Sequence, residues 1–194
     1  MYNIAEFYDQ LCDNYEKSWQ AAGWESEDNQ YANFVLISSI ISPNSSVLDV
    51  GCGQGDFYNY IKNKKINYYG IDISKSMIEK AKIKNPNINF YHGNFLEESF
   101  ENFDYVVASG AFSFQVEKQY DYIKKCIELC YSQSNKASAI TMTSDLADVK
   151  YEEPLFYYNP IKILEIALEF TSYVIINTSS LPNELVLFMY KKEK

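Results

Sequence analysis

Histidine is almost missing from this chain: His92 stands alone among 194 residues. A mixed histidine–cysteine metal centre therefore lacks its ligands. Cysteine does not supply them. Cys12, Cys52, Cys126 and Cys130 include no C-x-x-C pair. Cys126 and Cys130, four apart in a helical pattern, read as one buried helix face rather than a disulfide or a metal site. Apolar runs of membrane-spanning length are lacking, and no secretory signal precedes the first helical pattern, so the expectation is a cytoplasmic chain with no membrane partner. Positive charge is scarce as well. Seventeen basic residues against 26 acidic ones leave a formal net charge of -9, a surface that repels phosphate backbones. The basic clusters Lys62 to Lys65 and Lys80 to Lys84 fall on or after helices and read as solvated faces; a nucleic-acid partner is not expected.

Tyrosine, by contrast, occurs 18 times. Asn, Lys and Ile are abundant too, and AT-rich codons account for all four, so each tyrosine needs a positional argument before it counts as functional. The length suits one domain over 1–194 with a single sizeable core. Residues 3–20 carry Ile4, Phe7, Tyr8, Leu11, Tyr15 and Trp19 at helical spacing. After a loop, a second helix is predicted over 29–41, with Tyr31, Phe34, Val35, Ser38 and Ile41 inward. Residues 1–44 thus form a helical cap or lid. From residue 45 strands and helices alternate, the pattern of a parallel sheet covered on both faces. Strands are expected near 46–50, 67–71, 88–91, 103–108 and 137–142, and helices near 54–64, 75–84 and 117–131. A polar segment at 143–159 breaks the rhythm, and Pro160 then opens a helix at its first turn. Strands near 173–178 and 185–190 flank Ser180-Leu181-Pro182-Asn183 and pair as a hairpin.

The decisive stretch is Val47-Leu48-Asp49-Val50-Gly51-Cys52-Gly53-Gln54-Gly55. A strand that turns sharply into a helix needs such glycines, for positive φ and for close approach of a ligand to the backbone. Alone, the triplet is also compatible with a tight turn that binds nothing. Three further stations accompany it. Tyr68-Tyr69-Gly70-Ile71-Asp72 is a strand closing on an acid about twenty residues past the turn, where a doubly wound fold places a carboxylate for ribose hydroxyls. No arginine follows Asp72 to invite a 2′-phosphate. Asn89 to Phe95 is a third strand ending in Gly93-Asn94, and Phe103 to Ser109 is a fourth.

The run D-x-G-x-G-x-G, with its acid two residues before the first glycine, resembles motif I of the class I S-adenosylmethionine-dependent methyltransferases. The resemblance is strongest over residues 45–115. It implies an α/β fold: a doubly wound seven-stranded sheet of order 3-2-1-4-5-7-6 with its last strand antiparallel. It implies S-adenosylmethionine as cofactor. Gly51, Cys52, Gly53 and Gly55 would let backbone approach the methionine part, with Asp49 orienting the ammonium and Asp72 holding the ribose. Ile73 and Met77 would line the adenine slot, Met77 being equally compatible with the core. Asn94 and the backbone of Phe95 would address the adenine edge; relatives usually carry Asp at the place of Asn94, but an amide oxygen can accept the same bond. Ser109 would close the methionine side. Tyr8-Asp9 and Tyr15-Glu16 resemble the capping-helix tyrosines of small-molecule members, with Tyr15 over the cofactor or simply packed on the sheet. Phe112, Tyr151, Tyr157 and Tyr158 are the acceptor-side candidates. His92 lies toward adenine rather than the methyl, and a tyrosine of ordinary pKa near 10 is a poor base; the catalytic group stays unknown and no metal is expected.

The function these readings favour is methyl transfer to oxygen or nitrogen of a small polar metabolite by a monomer or homodimer. AT-rich coding suggests a low-GC bacterium and hence a surface-glycan precursor as substrate. The alternatives are an RNA or protein methyltransferase, a non-catalytic S-adenosylmethionine-binding module and, least favoured, a nicotinamide-dependent dehydrogenase.

Overall fold

A computed structural model describes residues 3–148, 150, 154–179, 181 and 183–192. Seven strands form one sheet in the order β3-β2-β1-β4-β5-β7-β6, the expected order. The chain divides into two compact units, one ending at Ser99 and the other beginning at Phe100.

In the first unit, β1 (Ser46–Val50), β2 (Asn67–Asp72) and β3 (Asn89–His92) run parallel, with Asp49 opposite Gly70 and Asp72 opposite His92. Val47, Leu48 and Val50 are all buried, as a strand covered on both faces requires. The connecting helices are α4 (Asp56–Ile61), continued by a 3-10 turn over Lys62–Lys64, and α5 (Lys75–Lys84). Ser74 caps α5 by accepting from the Met77 N–H.

The helical region before β1 departs from expectation twice. The predicted helix over 3–20 is broken: α1 (Ile4–Asn14) ends where Tyr15 turns extended, and a short α2 (Ser18–Ala21) follows. The break folds Ala21 back beside Cys12 and Met77, so burial of that cluster overrides a continuous helical pattern. The second helix, α3 (Glu27–Ser38), starts two residues early because Ser26 caps it. Its inward face is the expected one only in part: Phe34, Ser38 and, past the helix end, Ile41 are buried as predicted. Gln30, Asn33, Phe34, Ile37 and Ser38 are buried, while Tyr31 and Val35 are 53% and 48% exposed. Phe34 packs on Phe57, and Tyr31 meets Tyr60 edge-on at 4.7 Å. The buried Asn33 amide donates to the Asn29 carbonyl within the helix, which makes a polar residue acceptable on the inner face.

In the second unit, β4 (Phe103–Ser109) and β5 (Ser134–Thr143) are parallel. The reversed strand β7 (Glu184–Tyr190) pairs antiparallel with both β5 and β6 (Val174–Asn177). β5 begins three residues before the predicted start. The helices are α6 (Gln119–Ser132) and α7 (Pro160–Leu168), the latter with proline in its first turn and Asn159 as its cap. Cys126 and Cys130 share the buried face of α6, and all four cysteines are free thiols. Among the described residues no helix is long and apolar enough to cross a membrane, and no cluster of three metal-ligating side chains occurs.

Candidate cofactor and acceptor sites

The glycine turn after β1 carries Gly51, Gly53 and Gly55 at φ 71°, 52° and 80°, conformations in which L side chains are strained. The glycines face different surroundings. A methyl group added at Gly53 would meet nothing within 4 Å, whereas one at Gly55 would lie 2.7 Å from Cζ of Phe90. Gly53 therefore opens onto free space, and Gly55 lets helix and strand pack closely. The turn is braced internally: the Gly51 and Cys52 N–H groups donate to the Ile71 carbonyl at 2.8 and 3.1 Å.

Asp72 stands at the end of β2 and holds the turn in place. One carboxylate oxygen accepts from the Gly53 N–H and the other from the Ser74 N–H, both at 2.8 Å. Burial raises its pKa; those two donors oppose the rise, the Asp9 charge adds to it and His92 opposes it. Each oxygen retains acceptor capacity toward a ligand hydroxyl. Asp49 is 2% exposed and accepts from the Tyr68 hydroxyl at 2.5 Å. Burial pushes it up to about 7; the Tyr68 hydrogen bond acts against the shift and the charges of Asp72 and Asp56 act with it.

The α1 helix lies against the same residues. Tyr8 packs on the cluster of Cys12, Ala21 and Met77. Its hydroxyl is pushed up to about 12 by burial and by the charge of Asp72. Met77, 2% exposed, belongs to that cluster, and Tyr15 sits just beyond the end of α1, 42% exposed. Asn94 forms a local turn, its side-chain oxygen accepting from the Leu96 N–H while its amide donates to Glu97. Phe95 beside it is buried and Ile73 half-buried. His92, exposed, hydrogen-bonds the Ile73 carbonyl through Nε2 at 3.1 Å.

In the second unit, Ser109 ends β4, and its buried hydroxyl has no hydrogen-bond partner among the described residues. The chain beyond it is held by the segment before α7. Phe156 N–H donates to the Ser113 carbonyl, Gln115 N–H to the Pro154 carbonyl, and the Thr143 hydroxyl to the Phe156 carbonyl. Phe112 is 4% exposed and Tyr158 is fully buried. The Tyr158 hydroxyl donates to the Phe112 carbonyl at 2.7 Å and accepts from the Gln119 amide. Tyr158 thereby ties down the loop after β4 from inside the core. Tyr157 is half-buried, with Lys150 Nζ 6.0 Å from its ring centre. Tyr151 lies outside the described residues.

Sequence reading missed Ser74, Gln119 and the role of Asp9. A capping signal after Asp72 was available for Ser74. Nothing local marks Asp9, whose partner is 65 residues away.

The methyltransferase domain model matches residues 47–132, which span most of β1, the glycine turn, Asp72 and all of α6. Sequence relatives of the methyltransferase domain include a carboxy-S-adenosyl-L-methionine synthase from Campylobacter jejuni. It is 29% identical over 135 residues, covering 66% of this chain and 54% of the relative. The chain thus spans about half the length of that curated protein. The fold of this chain is similar to that of the magnesium protoporphyrin IX methyltransferase ChlM from Synechocystis, solved with SAH bound: TM-score 0.71, 12% identity, 97% and 98% of the two chains covered. The CcbJ methyltransferase from Streptomyces caelestis is similar too, with TM-score 0.70, 15% identity, and 98% and 99% covered.

Proposed function

We propose that the chain is an S-adenosylmethionine-dependent methyltransferase acting as one domain on oxygen or nitrogen of a small, uncharged or cationic polar metabolite. The observation that carries this is Asp72 joined by both oxygens to Gly53 and Ser74 beneath the open space at Gly53. That arrangement suits a ribose diol at the carboxylate and a close-lying methionine part at the turn. When bound, the sulfonium would supply an activated methyl carbon and a good leaving group. The protein's share is then alignment, exclusion of water and, for a hydroxyl acceptor, removal of a proton. Asp49, at the end of β1 before the turn, would address the ammonium. Tyr158 and Gln119 would act indirectly, by fixing the loop that carries Phe112.

The relative's ligand name includes an added carboxylate, which calls for a cation. This chain contains no arginine; the charges of Asp9 and, in opposition, His92 act on Asp72, and those of Asp72 and Asp56 act on Asp49. A cofactor bearing a further carboxylate beyond that of its methionine part, and an anionic acceptor, are therefore disfavoured, and a neutral glycan precursor is compatible.

Calorimetric titration with S-adenosylhomocysteine and with NAD tests the cofactor reading, followed by transfer of labelled methyl into a metabolite extract. Uptake of S-adenosylhomocysteine alone, with label in the small-molecule fraction, is expected. Binding of NAD alone, or of neither ligand, overturns the proposal. Label in RNA or protein overturns the substrate class.

A further inference from the structure

Resting on that cofactor reading, we propose that Asp9 is a positioning residue for the adenosyl site: it clamps α1 to the start of α5 and, through Ser74, fixes the carboxylate that receives the ribose. One oxygen of Asp9 accepts from the Ser74 hydroxyl at 2.6 Å and from the Ser76 N–H at 3.0 Å. The Ser74 hydroxyl oxygen already accepts from the Met77 N–H, so its proton is free to be given to Asp9. The Ser74 N–H then holds one oxygen of Asp72, and the Gly53 N–H holds the other. An unbroken chain of hydrogen bonds thus runs from the first helix to the glycine turn. Two further ties lie alongside it: Lys80 donates to the Cys12 carbonyl, and the Gln54 amide approaches Cys12 Sγ at 3.7 Å.

Docking α1 does not by itself require a carboxylate. The apolar cluster and Lys80 already hold the helix, and a neutral amide or hydroxyl would accept the same two bonds. A second acid beside Asp72 carries an electrostatic cost. What it adds is negative potential next to the ribose carboxylate, favourable only toward a ligand bearing positive charge. The groups facing Asp72 are Asp9 and Tyr8 from α1, Asp49 from β1, Cys52 from the turn and His92 from β3. Asp9 is one of the charges among them that hold the Asp72 pKa up, and its removal should let Asp72 stay ionised to lower pH.

The test uses the full chain with Asp9→Ala and Asp9→Asn, reading S-adenosylhomocysteine affinity from pH 4.5 to 8 and hydrogen exchange over residues 4–14. Asp9→Ala is expected to weaken binding by about tenfold, the scale of one hydrogen bond to a charged group, and to deprotect the α1 amides. Asp9→Asn keeps an acceptor oxygen, so most neutral-pH affinity should return while the acid limb of the affinity curve moves to lower pH. A variant that melts earlier yet keeps both the affinity and its pH curve overturns the proposal. Should Asp9→Ala fail to fold, an unmoved acid limb in Asp9→Asn overturns it alone. A wild-type chain that does not take up S-adenosylhomocysteine overturns the cofactor reading itself, a failure visible before any variant is made.

Discussion

Replacing Gly53 and Gly55 separately by alanine should divide ligand approach from packing. Both residues have positive φ, 52° and 80°, so each alanine carries about 1–2 kcal/mol of backbone strain. For Gly53 the cost to folding ends there, because the added methyl meets nothing within 4 Å. At Gly55 the methyl would sit 2.7 Å from Cζ and 3.1 Å from Cε1 of Phe90. Phe90 is 6% exposed and packed edge-on against Tyr68, so the ring has little room to yield. Overpacking of this kind adds roughly 1–3 kcal/mol, for a total of about 2–5 kcal/mol. In a chain of this size each kcal/mol moves the melting temperature by about 2–4 °C. Gly55→Ala should therefore melt clearly below Gly53→Ala, and adding Phe90→Leu should recover part of the loss. Ligand affinity should rank the other way. Gly53→Ala places its methyl where the cofactor is proposed to approach, and its S-adenosylhomocysteine affinity should fall at least tenfold, about 1.4 kcal/mol, in a protein that still unfolds cooperatively. Thermal melts and calorimetry on the two variants decide it. Wild-type affinity in Gly53→Ala, or equal melting temperatures for the two variants, would refute the reasoning.

Asp49 makes stability depend on pH. Its folded pKa of about 7 lies above the unfolded value of 3.8, so the native state binds the extra proton between those limits and stability declines as pH rises through that window. Asp49→Asn should flatten the decline in urea midpoints measured from pH 5 to 8, since the Tyr68 hydroxyl can still donate to the amide oxygen; an unchanged slope would count against this account. Tyr158→Phe leaves the Gln119 amide and the Phe112 carbonyl without the hydroxyl, and about 1–3 kcal/mol of stability should be lost, with S-adenosylhomocysteine affinity unchanged by calorimetry. Lys64 donates to the Ser38 and Ile41 carbonyls at 2.8 and 2.9 Å. Lys64→Met should cost about 1.5–3 kcal/mol, the scale of hydrogen bonds from a charged donor, read from denaturant midpoints.

The sheet was legible because each of its signals is local. β1, β2 and β4 are short apolar runs bounded by Gly, Asp or Ser, and Asp72 follows the glycine turn at a fixed distance. The α3 face was legible only in part: Phe34 and Ser38 are inward as expected, but apolarity misled elsewhere on the helix. Tyr31 and Val35 look like core residues, yet Gln30 and Asn33 occupy the inner face. Counting apolar side chains cannot foresee an amide that donates back to its own helix, as Asn33 does to the Asn29 carbonyl. The break after Asn14 is likewise tertiary, since it depends on Ala21 reaching Cys12 and Met77. Tyr158 drew notice as an aromatic near the acceptor side, but the Gln119 amide and the Phe112 carbonyl that hold it in the core lie 39 and 46 residues away.

The hydrogen bonding of the turn bears on the choice between one adenosyl ligand and another. A dinucleotide site cradles a pyrophosphate on free backbone N–H groups of the glycine loop and on the positive end of the next helix. Here those donors are already engaged. Gly51 and Cys52 donate to the Ile71 carbonyl, Gly55 to the Cys52 carbonyl, and Gly53 to the Asp72 carboxylate. The helix that follows carries Asp56 in its first turn, a negative charge where a phosphate would need a positive field. Asp49 and Asp72 stand close enough for each to bear on the local electrostatics, and Asp9 adds to the charge felt by Asp72. Bringing a doubly negative pyrophosphate to this edge would set like charge against like in a poorly solvated place. A ligand with a ribose, an ammonium and a sulfonium reverses the sign of that interaction, and the burial that raises Asp49 toward neutrality would then be offset by a cation beside it. The same residues that make the edge hostile to a dinucleotide make it suited to an adenosyl sulfonium.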